Sequence, residues 1–128
     1  MLLNGFVLAE YVRKKLDGDY MAMVQQYYDI HVNALLSARA DIIGHFDLIT
    51  KFDELDKSLF LENAKYREIA ENYALKINEL GCVFEVNTGA ITRGMRSSPY
   101  PSEHLLYVLK KQGAKLILSS DSHCIDTL

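Results

Sequence analysis

The stretch from Tyr66 to Asn87 reads YREIAENYALKINELGCVFEVN, and its reading decides the fold. Tyr66, Ile69, Ala70, Tyr73, Ile77 and Leu80 recur at helical spacing and form one apolar stripe. Gly81 stops the pattern, because glycine enters the left-handed conformation that a helix end needs. The character then changes. Cys82-Val83-Phe84-Glu85-Val86-Asn87 is a short, largely apolar run, as a buried strand requires. A helix that feeds a strand through one glycine is a building piece of a parallel α/β sheet.

Working outward, the same helix is expected to begin near Asp56. Upstream, Asp19 to Ala38 reads as a helix with Asp19 as its N-cap. Met23, Tyr27, Ile30 and Ala34 recur there beside Val24, Tyr28, His31 and Leu35. Asp41-Ile42-Ile43-Gly44 follows as a buried strand. Downstream, Thr88 to Tyr100 has no clear period and reads as a long loop. Pro101-Ser102-Glu103 opens a third helix with Leu105, Leu106 and Leu109 on its apolar side. Lys110 and Lys111 suit the negative end of its dipole, and Gly113 ends it. Leu116-Ile117-Leu118 is the last strand. Helix and strand alternate three times, which predicts right-handed crossovers, a parallel sheet and outer helices: the α/β class. Strands covered by helices should be apolar, as these are.

Composition limits the function classes. The chain has 128 residues, 49% hydrophobic and 24% charged, which fits one small globular domain with a core of its own. Its net charge is −3 and its Lys and Arg are scattered, which argues against nucleic-acid and anionic-membrane partners. No apolar run approaches the roughly 20 residues of a membrane helix. Met1-Leu2-Leu3 lacks the features of a signal peptide, so a cytoplasmic location is expected. Cys82 and Cys124 make no disulfide framework and read as reduced thiols.

The polar residues fall in a pattern. Each apolar strand ends in residues capable of chemistry: His45 and Asp47, then Glu85 and Asn87, then Asp121 and His123. Active sites of parallel α/β folds lie at that edge of the sheet. In extended chain, residues i and i+2 point to one side, so Asp121 and His123 can converge on one cation. Both are ligands for zinc, manganese or iron. His45 reads equally as a ligand or as a histidine bonded to backbone at a strand end. Arg93 and Arg96 follow the second strand, and arginine grips phosphate with a fork of donors. Glu85 reads as a group that orients ligands, or as a paired, half-buried carboxylate. His31 and His104 read as surface or packing residues, and the tyrosines of the first helix as packing.

Four strings occur in this order: Ala40-Asp41-Ile42-Ile43-Gly44-His45-Phe46-Asp47, Phe84-Glu85-Val86-Asn87-Thr88-Gly89-Ala90, Arg96-Ser97-Ser98-Pro99-Tyr100-Pro101 and Leu118-Ser119-Ser120-Asp121-Ser122-His123. With them the chain resembles the histidinol-phosphatases of the polymerase-and-histidinol-phosphatase (PHP) superfamily, from about Tyr27 to His123. The resemblance implies a distorted seven-stranded β/α barrel, a cluster of three metal ions, and hydrolysis of L-histidinol phosphate to L-histidinol and phosphate in histidine biosynthesis. It implies His45, Asp121 and His123 as metal ligands, with zinc, manganese or iron as the metal. It also implies Asp121 or His123 in proton transfer, and Arg93 and Arg96 on the phosphate. Metal ions would lower the pKa of a bound water and stabilise phosphoryl charge.

The chain departs from the family in lacking its opening His-x-His strand. A complete barrel takes roughly 200 residues or more. Residues 1–128 are therefore expected to be one partial PHP domain, without the N-terminal strands and the extreme C-terminal segment. Its open barrel edge would favour self-association. The competing expectations are a PHP-type phosphoesterase acting on another phosphate ester, and a non-catalytic remnant or interaction module.

Overall fold

The structure is a computed structural model that describes residues 5–54 and 58–127. Its elements run in order α1 (Gly5–Lys15), α2 (Tyr20–Ala38), β1 (Ile42–Ile43), a 3₁₀ segment (Leu48–Glu54), α3 (Ala64–Glu79), β2 (Val83–Asn87), α4 (Gly89–Thr92), α5 (Glu103–Lys111), β3 (Leu116–Ser119) and a 3₁₀ turn (Ile125–Thr127). The three strands are parallel in the order β1-β2-β3, so the chain has the α/β architecture its pattern predicts. It is an open sheet among the described residues.

Local signals explain most of the boundaries. The Asp19 carboxylate accepts the Ala22 N–H at the start of α2. Gly81 and Gly113 take positive φ, +82° and +66°, just past α3 and α5. Four expectations need correction. The helix foreseen from Asp56 starts at Ala64, because the Asn63 side chain accepts the Lys65 and Tyr66 N–H groups and caps it there. Asp56 itself lies outside the described residues. The Thr88–Tyr100 loop opens with the short helix α4. The first strand is only two residues long and half open, with Ile42 50% exposed. The last strand is not buried either: Leu116, Ile117 and Leu118 are all exposed.

Register explains the exposure of Ile42 and Ile117. Parallel partners share a face, and Ile43, Phe84 and Leu116 lie in one row. Ile43 and Phe84 belong to the core, with Val24, Tyr28 and Val32 of α2, Ile69 and Ile77 of α3, and Leu105 and Leu109 of α5. Helices therefore cover this face of β1 and β2. The alternate row carries Ile42, Val83, Glu85 and Ile117, and no layer covers it among the described residues. Parallel sheets elsewhere bury both faces. Here β1 has cover on one face only, and β3 is exposed on both, since Leu116 and Leu118 share the face of Phe84 and are open as well.

Buried aromatics fill the covered side. Tyr28, Phe46, Phe60, Tyr66 and Phe84 are fully buried. The Tyr28 and Tyr66 hydroxyls bond to each other at 2.8 Å, which satisfies both polar tips inside the core. The tyrosines of α2 are thus packing residues, as read. His31 is packing as well, with Nδ1 2.9 Å from the Tyr27 carbonyl and its ring against Tyr27. His104 Nε2 lies 2.7 Å from Glu71 across α5 and α3. Cys82 is buried.

Candidate functional site at the C-terminal edge of the sheet

Three strand ends rise to one edge, and the structure treats them differently. At the end of β1 the backbone turns sharply, with His45 at φ +24°. That turn is held from β2: the His45 N–H donates to Glu85 Oε1 at 2.9 Å. The His45 side chain is exposed. Phe46 drops into the core, and Asp47 is fully buried.

Asp47 is a structural carboxylate in this arrangement. Its Oδ2 accepts the Ser102 N–H at 2.8 Å, tying the end of β1 to the start of α5. Its backbone carbonyl accepts the Thr50 hydroxyl. Burial pushes the Asp47 carboxyl up to about 6, against the opposing pull of Ser102 and Arg96.

The end of β2 is a polar junction. Asn87 is buried, and its Nδ2 donates to Glu85 Oε1 at 3.1 Å. Its Oδ1 accepts the Gly89 N–H at 3.0 Å, where α4 begins. Its backbone pairs with Tyr100.

At the end of β3, Asp121 adopts φ +47° and its N–H donates to the Ser119 hydroxyl. His123 Nε2 lies 3.6 Å from Asp121 Oδ1, brought there by the turn at Asp121 and not by extended backbone. Arg93 joins them. Its Nη1 donates to the Asp121 carbonyl at 3.2 Å and its Nη2 lies 3.8 Å from Oδ2. Gly89 makes room for this cluster. A Cβ there would stand 2.9 Å from both Arg93 Nη1 and the Ser120 carbonyl. His123 is largely exposed, and so is Cys124.

The two arginines have separate settings. Arg96 donates to Thr50 Oγ1 and Ser98 Oγ, both at 3.1 Å, and lies over the Tyr100 ring at 4.0 Å. It borders a cavity of about 400 Å³ that Thr50, Asp53, Met95, Ser98 and Tyr100 also line. Arg93 instead belongs to the Asp121–His123 cluster.

These positions bear on a metal. Asp121 and His123 have the donor chemistry for two ligands of one cation. His45 stands at the end of β1, with β2 between it and β3. Among the described residues no three His, Cys, Asp or Glu side chains come together to hold an ion. Asp121 and His123 could supply part of a coordination shell, and the described residues do not complete one.

Sequence reading placed Asn87 at this edge but missed Gly89 and Ser102 as parts of it. The signal was available in Asn87-Thr88-Gly89, a buried-strand end followed by a glycine. Only the register shows what that glycine faces.

The chain is similar to two curated proteins named probable histidinol-phosphatase. The one from Schizosaccharomyces pombe is 34% identical over 99 residues, 76% of this chain and 32% of that protein. The one from Deinococcus radiodurans is 28% identical over 120 residues, 93% of this chain and 42% of that protein. No protein-family model matches the chain. No solved structure matches it. The chain thus spans less than half the length of the two curated relatives, and their names suggest a phosphatase-type hydrolase.

Proposed function

We propose that the chain is part of a metal-dependent phosphomonoester hydrolase that converts L-histidinol phosphate to L-histidinol and phosphate, a reaction of histidine biosynthesis. The observation that carries this reading is the joint placement of Arg93, Asp121 and His123 at one strand end, in a chain similar to proteins named for that activity. Arg93 would bind the phosphoryl oxygens. Asp121 and His123 would be metal ligands, with His45 contributing from the end of β1, and one of the first two would serve proton transfer. Arg96 would act on the substrate from its cavity. The metal would be zinc, manganese or iron.

Residues 1–128 would be one partial PHP-type domain, three strands of a distorted β/α barrel. The uncovered row of Ile42, Val83, Glu85 and Ile117 supports this, since it is what the inside of a closed sheet would carry. Exposed β3 supports self-association through the open edge, which would bring further ligands. A small phosphorylated substrate is the expected partner, with neither nucleic acid nor membrane. Among the described residues no helix is long and apolar enough to cross a membrane. A cytoplasmic location is part of the same proposal.

The test is elemental analysis of the purified chain after supply of zinc, manganese and iron, with phosphate release measured from L-histidinol phosphate and from a nucleotide. Bound metal that disappears in Asp121→Ala, with histidinol phosphate preferred, is the expected result. Equal metal content in the wild type and Asp121→Ala overturns the reading. Preference for the nucleotide selects the alternative phosphoesterase.

A further inference from the structure

We propose that Asn87 is a positioning residue that holds the end of β1 and the end of β3 in one register. The inference rests on reading these strand ends as one site. Asn87 is 2% exposed, at the last position of the central strand. Its side-chain amide points both ways at once. Nδ2 donates to Glu85 Oε1, and that same oxygen accepts the His45 N–H. Oδ1 accepts the Gly89 N–H, the first residue of α4. Arg93 follows α4 directly and reaches Asp121 at the end of β3.

The chemistry suits only an amide. An amide carries a donor and an acceptor on one planar group. Glu85 requires the donor, and the Gly89 N–H requires the acceptor. One orientation of the Asn87 amide meets both demands. Glu85 is half-buried, so its carboxylate gains from two donors on one oxygen. His45 needs the restraint, since φ +24° is an unfavourable backbone for a residue with a Cβ. The result is a continuous path from the His45 backbone through Glu85, Asn87 and α4 to Arg93 and Asp121. It sets where the two candidate ligand regions stand relative to each other.

The test is amide hydrogen exchange by NMR on the full 128-residue chain, which requires neither metal nor substrate. Asn87→Asp keeps the acceptor for Gly89 but sets a second carboxylate against Glu85. The His45 amide should then exchange about tenfold faster, while the Gly89, Phe84 and Val86 amides stay unchanged. Glu85→Gln with Asn87 intact keeps a side-chain oxygen that can accept both the Asn87 amide and the His45 N–H, and should retain most of the His45 protection. Glu85→Ala reads the same link should Asn87→Asp not fold: His45 loses protection and Gly89 keeps it. The proposal is overturned by an unchanged His45 amide in Asn87→Asp or Glu85→Ala, or by a His45 amide in Glu85→Gln no better protected than in Glu85→Ala. Absence of phosphatase activity would overturn the proposed reaction and leave this result standing.

Discussion

The β1–β2 end and the β3 end of this sheet carry similar residues in opposite surroundings. Asp47 is sealed beneath the start of α5, while Asp121 is about two-fifths exposed beside Arg93 and His123. Phe84 has no exposed surface, while Leu118, on the same face of the sheet and paired with Val86, is 76% exposed. The difference separates two jobs. The first end locks helices to strands. The second end displays charged groups on a strand with little packing of its own.

Truncation is the strongest way to sharpen the contrast. Phe84→Ala should cost about 3–5 kcal/mol, because it empties a packed site, and Leu118→Ala should cost under about 1 kcal/mol. Urea unfolding of both variants measures this. A loss at Leu118 as large as that at Phe84 would show that β3 is covered in solution.

The buried carboxylate gives the next largest effect. The Asp47 pKa is raised from 3.8 to about 6, so between those values the folded state binds more protons than the unfolded one. Its contribution to stability therefore falls as pH rises through that window, by up to about 3 kcal/mol. Asp47→Asn retains an acceptor for Ser102 and should remove that slope. Unfolding curves taken across the window, variant against wild type, provide the check.

Gly89→Ala should cost about 1–3 kcal/mol, since its Cβ would press on the Ser120 carbonyl, which is backbone and yields only if β3 moves. NMR shifts at His123 and Asp121 should move with it, and those at Ser102 should not. Shifts confined to α4 would break the link drawn between α4 and β3.

Arg93→Ala should have the smallest effect on stability, under about 1 kcal/mol, because its pair with Asp121 is partly solvated. Under the proposed function the same change should abolish phosphate release. Retained release would remove Arg93 from the site.

Much of this was legible in the chain itself. The stripe from Tyr66 to Leu80, the stop at Gly81 and the run from Cys82 to Asn87 determined a helix feeding a parallel strand, because spacing and backbone freedom are local properties. Asp121 and His123 do lie close, but through a turn at Asp121 and not through the extended alternation expected of them. Tertiary structure decided the rest. Asp47 and Asp121 both follow apolar strands, and nothing local tells which is buried; α5 docks on one and leaves the other open. Arg93 and Arg96 lie three apart, yet one meets Asp121 and the other Thr50, because the chain turns between them. Burial, partner and register depend on segments far apart in sequence, and they exist only once the strands are aligned.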